Sequence, residues 1–153
     1  MKQMTRKQYD KWIKTLDPHI CTFCDPSKQI ILKEFENWIW VANLAPYWPY
    51  HTMIVSRRHF EKYSDMTMQE AGELVKVIDY GEKKIIDAKI IREDGTQIKK
   101  VVYFWRFRLD RLDRASGTVR PNHFHLHLTP DKDHLWDSLI DSKAIKNDLT
   151  KLL

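Results

Sequence analysis

Alternation with a period of two marks the second half of the chain. Across Lys100–Leu109, Val102, Phe104, Arg106 and Arg108 fall on one side and Val101, Tyr103, Trp105 and Phe107 on the other, which predicts a strand. His123–Thr129 alternates in the same way and predicts another. Earlier, Ile30–Phe35 and Trp38–Asn43 read as two strands joined by a tight polar turn at Glu36 and Asn37, and 52-TMIVS-56 reads as a further strand. Between them, 46-PYWP-49 is predicted to be a loop, because its prolines have no N–H to give a ladder.

Helical periodicity separates these strands. Tyr9, Trp12, Ile13 and Leu16 predict a short helix within residues 3–16, which Asp17-Pro18 ends. Thr67 followed by Glu70 is a capping-box pattern. Leu74, Val77, Ile78, Ile85 and Ile86 then predict one long amphipathic helix to about residue 90, with Gly81 a mild cost in its middle. Glu93-Asp94-Gly95 reads as a turn, residues 110–121 as a polar loop, and about 135–152 as a C-terminal helical extension. Helices set among meander-like strands predict an α+β fold with a mostly antiparallel sheet, in a single domain over 1–153 whose core spans about 20–136.

Composition narrows the function classes. The 153 residues suffice for one domain with a true core, and four glycines with six prolines argue against low complexity. No apolar run approaches the roughly 18 residues that would cross a bilayer, so no membrane partner is expected. The stretch 1-MKQMTRKQYDKWIK-14 is charged and has no apolar signal core, so the expected location is the cytoplasm. A formal charge of +5, spread along the chain, is compatible with nucleic acid and equally with a site for an anionic small molecule.

Two clusters of chemistry-bearing residues stand out. In 122-NHFHLHLTP-130, His123, His125 and His127 share one face of the predicted strand at about 6.5–7 Å spacing, while Phe124, Leu126 and Leu128 face the other way. Three readings follow: a solvated face rich in histidine, a metal cluster, or nucleophilic catalysis in which one imidazole attacks and its neighbours orient it. Imidazole is a good nucleophile at neutral pH and a good leaving group once phosphorylated. The second cluster is 21-CTFC-24, which holds the only two cysteines. In a reducing compartment a C-x-x-C pair is half a zinc site or a redox pair, and nothing nearby resembles a thioredoxin-like βαβ unit.

The stretch 123-HFHLHLT-129 fits the H-φ-H-φ-H-φ-φ signature of the histidine triad (HIT) superfamily, except for Thr129 in the last apolar place. Independently, 43-NLAPYWPYHTMIVSRRH-59 resembles the family's D-I-x-P-x-x-P-x-H-x-L-V-I-P-K-x-H block, including both histidines and both prolines of its P-x-x-P element. Trp136 lies nine residues past His127, where several nucleoside phosphoramidate hydrolases of the family also have tryptophan. The PYWPY wording resembles the related galactose-1-phosphate uridylyltransferases. The resemblance covers roughly residues 20–136, in separate blocks.

The resemblance implies roles. His125 would attack the α-phosphorus of a nucleotide, His127 would contact the phosphate, and a strand carbonyl would fix the tautomer of His125. Asn43 stands where the family usually has an aspartate for the ribose hydroxyls. Leu44 would pack on the base, and His51 would support the pocket, against the alternative of a satisfied buried histidine. Structural zinc would be held by Cys21, Cys24, His59 and His123, a set that suits a closed tetrahedral site. The three triad histidines would then have three separate jobs. His19 and His134 are expected at the surface.

The chain departs from the family before the triad. The family commonly has N-x-G-x-x-x-G-Q-S/T-V there, whereas this chain has 113-DRASGTVRPNH-123, with Gly117 in the glutamine place and no Asn-x-Gly. Thr118 and Val119 match, and two extra residues precede His123. Thr118 would still contribute a hydroxyl. Arg106 and Arg108 would substitute as forked phosphate donors if their strand face meets the triad, and would be plain surface if it faces water. Arg57, Arg58 and Arg120 are expected to be solvated.

The leading expectation is therefore a zinc-stabilised nucleotide hydrolase or nucleotidyltransferase, hydrolase favoured, acting at the α-phosphate of a dinucleoside polyphosphate or nucleoside phosphoramidate through a nucleotidyl-histidine. The alternatives are a non-catalytic nucleotide or RNA-end binding module, and a redox or metal-buffering protein built on the C-x-x-C. A homodimer using Tyr80 and the long helix is an expectation by analogy alone.

Overall fold

The computed structural model describes residues 1–91, 94–105, 121–130 and 148–153, and the backbone of 112–113 and 118–119. The elements are helix α1 (Arg6–Ile13), strands β1 (Ile30–Glu34), β2 (Trp38–Ala42) and β3 (Thr52–Ser56), helix α2 (Met68–Asp87), and strands β4 (Val101–Trp105), β5 (Leu112–Asp113), β6 (Thr118–Val119) and β7 (His125–Pro130). Five strands form one sheet in the order β1-β2-β3-β7-β4, and each neighbouring pair is antiparallel. The architecture is thus the expected α+β arrangement.

Alternation divides the sheet into two faces. Trp38 and Trp40 of β2, Ile54 of β3 and Leu126 and Leu128 of β7 join Phe124 in the main core, together with Leu74, Val77 and Ile85 of α2. The opposite face pairs Val41 with Met53 and Met53 with His127, and Ile39 with Val55 and Val55 with His125. The helix covers one face, and the histidines line the other.

Helix α2 starts where the sequence predicts. The Thr67 hydroxyl accepts from the Glu70 N–H at 3.1 Å, and the Glu70 carboxylate accepts from the Thr67 N–H at 2.8 Å. It ends at Asp87, before the expected residue 90, and Lys89 follows with a left-handed φ of 48°. Gly81 does more than weaken the helix. A Cβ there would sit 2.9 Å from Leu128 Cδ2 and 3.3 Å from Trp40 Nε1, so its absence sets how closely α2 approaches the sheet. Helix α2 also secures the β1–β2 turn, because the Glu73 carboxylate accepts from the N–H groups of Glu36 and Asn37 and from the Asn37 amide.

Other boundaries are corrected. Helix α1 is shorter than residues 3–16, because Thr5 and Gln8 close a capping box at its start. The triad strand begins at His125 rather than His123, because the Phe124 N–H turns aside to the Phe60 carbonyl at 2.7 Å. Within the expected loop 110–121, β5 and β6 pair antiparallel. At the C-terminal end a single 3-10 turn, Leu149–Leu152, inserts Leu152 fully into the core. The rest of the expected extension, with His134 and Trp136, lies outside the described residues, as do Glu93 and the strand positions after Trp105. No described helix is long and apolar enough to cross a membrane.

Candidate active site and metal centre

The sheet's open face carries the triad. His125 and His127 alternate on β7 and are 9% and 8% exposed, so both rings are mostly enclosed. The His125 Nδ1 lies 2.7 Å from the His123 carbonyl. A carbonyl only accepts, so Nδ1 holds the proton and Nε2 keeps the lone pair. The Phe23 ring lies against His125, with centroids 4.7 Å apart at 30°.

His127 is oriented from two sides. Phe104, its direct partner on β4, stacks on it at 4.7 Å and 9°. His51, with no exposed surface, approaches through Nε2 at 2.8 Å from His127 Nδ1. The proton on this contact can be assigned from the surroundings. The Ala45 N–H donates to Asn43 Oδ1 at 2.9 Å, which turns the Asn43 amide nitrogen toward His51. That NH₂ lies 3.4 Å from both ring nitrogens of His51 and does not choose between them, whereas the Tyr47 N–H points at Nδ1 from 3.4 Å. With the Tyr47 N–H donating to Nδ1, His51 holds its proton on Nε2 and gives it to His127 Nδ1, so His127 is protonated on Nε2. Adjacent triad residues thus present a lone pair at His125 and an N–H at His127.

Tyr50, just before His51, has a left-handed φ of 60° while its side chain is buried in the main core. This backbone conformation is costly for a residue with a Cβ, and it occurs at the point where the loop delivers His51 to the site. Leu44 is buried, at 6% exposed.

His123 leaves the triad face for a second cluster. Its Nε2 donates to the Ser56 carbonyl at 2.7 Å, with the Ser56 hydroxyl 3.0 Å away. The bare Nδ1 therefore points at Cys21 Sγ (3.3 Å), Cys24 Sγ (3.4 Å) and His59 Nδ1 (3.2 Å). Cys24 Sγ is also 3.2 Å from His59 Nδ1. The four donor atoms lie within 4.8 Å of one another. Usual zinc bond lengths give ligand-to-ligand edges of about 3.3–3.8 Å, so the set is compatible with a tetrahedral ion once its widest edges close by up to about 1 Å. The Ser56 carbonyl is the outer partner that such a histidine ligand needs. Burial and the adjacent Cys21 push the Cys24 thiol up to about 11, a state that a dication among the ligands would reverse.

Sequence reasoning thus named the residues that meet in both clusters, but missed Ser56, Phe104 and Phe23. Phe104 was legible in the alternation of its strand and Phe23 in its position between the cysteines, whereas nothing in the sequence flags Ser56. Thr118 is seen only as backbone paired with Asp113 in the β5–β6 ladder. Arg106, Arg108 and Arg120 lie outside the described residues. Arg57 and Arg58 are exposed, as expected, although each is also bound to neighbouring groups. Arg57 bonds Glu34 and the Phe35 carbonyl, and Arg58 grips the buried Glu70 through two 2.8 Å bonds.

The HIT domain family model matches residues 26–134, so the chain belongs to the HIT family. Solved structures agree on the fold. The chain is 22% identical to a hypothetical histidine triad nucleotide-binding protein from Sulfolobus tokodaii strain7, at a TM-score of 0.52 over 82% of this chain and 74% of that one. It is 23% identical to a zinc-bound histidine triad family protein from Mycobacterium smegmatis, at 0.51 over 78% and 80%. It is 16% identical to an ADP-glucose phosphorylase from Arabidopsis thaliana with bound ADP-glucose, at 0.56 over 84% of this chain but only 37% of that one. No curated protein matches the chain.

Proposed function

We propose that the protein is a nucleotide-acting enzyme that cleaves at the α-phosphate of a nucleoside phosphate derivative, with hydrolysis the favoured outcome. One observation carries this reading: the His125 Nδ1–H bond to the His123 carbonyl leaves the lone pair on Nε2, next to a protonated His127 Nε2. An imidazole with a fixed tautomer is a ready nucleophile, and an N–H beside it is a donor for a phosphate oxygen.

In the proposed step, His125 Nε2 forms a bond to the α-phosphorus. The bond from phosphorus to the leaving group breaks, and the leaving group takes the electron pair and a proton from solvent. His127 holds a non-bridging oxygen as charge builds there, and His51 holds His127 in the required tautomer. Water then attacks the phosphorus and releases a proton to solvent, the P–N bond breaks with its electrons returning to His125, and a nucleoside monophosphate departs. His123 contributes its carbonyl to this step while its ring serves the metal centre. Asn43 and Leu44 are assigned to ribose and base, and Thr118, Arg106 and Arg108 to phosphate. With its oxygen engaged by Ala45, Asn43 meets the sugar through its NH₂ as a donor, unlike an aspartate.

Cys21, Cys24, His59 and His123 would hold zinc, which there supplies a cross-link between the segment before β1 and the entry to β7. The similarity to a zinc-bound histidine triad protein and to an ADP-glucose phosphorylase holding ADP-glucose supports testing both metal and nucleotide sugars. The experiment is an incubation of the protein and its His125→Ala variant with diadenosine polyphosphates, adenosine phosphoramidates and nucleotide sugars, with intact mass of the quenched protein. Release of a nucleoside monophosphate, or a nucleotidyl adduct, in wild type alone supports the reading. Nucleotide binding without turnover or adduct overturns it in favour of a binding module.

A further inference from the structure

Residues 3–6 precede the segment that the family match covers, yet they bind directly to the loop that delivers Asn43, Leu44 and His51. Three consecutive carbonyls of that loop are taken in order. The Gln3 amide donates to the Asn43 carbonyl at 2.9 Å, the Met4 N–H to Leu44 at 2.8 Å, and Arg6 Nη2 to Ala45 at 2.9 Å. Chain segments some 40 residues apart are thereby locked in register. The same Arg6 guanidinium lies over the Tyr47 ring, 4.5 Å from its centroid. Tyr47 in turn stacks on His51, with centroids 5.7 Å apart at 29°, and its N–H faces His51 Nδ1.

We infer that Arg6 is a positioning residue for the His51–His127 pair, acting through Tyr47. Arg6 holds the loop from both sides, by a hydrogen bond to the Ala45 backbone and by a cation–π contact on the Tyr47 face. The Ala45 bond keeps Ala45 and Asn43 in the turn that aims the Asn43 NH₂ at His51. The Tyr47 contact keeps the Tyr47 N–H and ring against His51. Together they keep the Tyr47 N–H on Nδ1 of His51, which forces its Nε2–H toward His127. An arm outside the family match thus sets the tautomer of a histidine inside it. This rests on the proposed role of His127 as the phosphate donor, but the tautomer itself can be read without substrate.

The test is ring-nitrogen NMR on ¹⁵N-histidine-labelled protein, with wild type compared with Arg6→Ala, Arg6→Lys and Tyr47→Leu. Wild type is expected to show a bare Nδ1 and a protonated Nε2 at both His51 and His127. Arg6→Ala and Tyr47→Leu are expected to give averaged, mixed tautomers at both residues with His125 unchanged. Arg6→Lys, which keeps the cation on the ring, should restore most of the wild-type pattern. With a productive nucleotide substrate, Arg6→Ala should lower kcat roughly tenfold to a hundredfold with little change in KM, since displaced groups cost rate rather than ground-state binding. A folded Arg6→Ala and Tyr47→Leu pair with wild-type tautomers overturns the inference, as does a rise in KM at constant kcat. Absence of any turnover in wild type sinks the proposed activity alone and leaves the NMR result to decide this one.

Discussion

His51 Nε2 lies 2.8 Å from His127 Nδ1 in a pocket where His51 is wholly buried and His127 only 8% exposed. A neutral imidazole has one donor and one acceptor nitrogen, so this contact couples the proton positions of both rings, and the Tyr47 N–H on His51 Nδ1 sets the direction. Removing His51 frees His127 to choose its tautomer. His51→Ala should therefore lower kcat about ten- to hundredfold while KM changes less, as measured with whichever substrate the panel identifies. His51→Gln keeps a donor near His127 Nδ1 and should retain more activity. Equal losses in the two variants would refute the tautomer argument.

The metal centre makes its own prediction. Purified protein should contain one zinc per chain by elemental analysis, and Cys21→Ser or Cys24→Ser should abolish it. The cross-link joins residues about 100 apart in sequence, Cys21 and His123. Counted as a chain cross-link alone, its loss should cost about 3 kcal/mol, or about 6–12 °C in Tm for a chain of this size. A chelator should move wild type to the variants' Tm and leave the variants unmoved. Zinc-free wild type with unchanged Tm would rule out a structural role.

These sites were legible in the sequence to different degrees. Strict alternation placed His125 and His127 on one face and Leu126 and Leu128 on the other, because a packed sheet tolerates only one register. His123 matched the same alternation but its ring serves another cluster, because the strand starts two residues later, at His125. The residues of both clusters were readable because their chemistry is rare. The partners that set protons, the carbonyls of His123 and Ser56 and the N–H of Tyr47, were not, because backbone groups leave no trace in residue type. The Arg58–Glu70 pair joins residues on separate elements, and only the fold brings them together.

That pair should shape acid stability. Hydrogen bonds from Arg58, and then from Thr67, hold the Glu70 carboxyl down at about 2 against an ordinary 4.5, despite opposing burial. The folded value lies below the unfolded one, so the contribution is complete above about pH 4.5 and is lost as pH falls toward 2. Glu70→Gln should lower the urea midpoint at pH 7, and the gap from wild type should close between pH 4.5 and 2. A gap that stays constant across this range would show that the pair is held by packing rather than charge.

Gly81 offers a test in which two effects oppose each other. In a helix interior, alanine is favoured over glycine by about 1 kcal/mol. Against this, the new Cβ would meet Leu128 Cδ2 at 2.9 Å and Trp40 Nε1 at 3.3 Å. Neither neighbour can move cheaply: both side chains are fully buried, and Trp40 donates to the Thr52 hydroxyl at 2.9 Å. Overpacking a filled core costs about 1–3 kcal/mol, enough to outweigh the gain in propensity. Gly81→Ala should thus be net destabilising, by up to about 2 kcal/mol in urea unfolding. It should also disturb the site, because Leu128 sits next to His127 on β7 and pairs with Thr52 next to His51. Increased stability would mean that the helix stands off the sheet by more than these contacts allow.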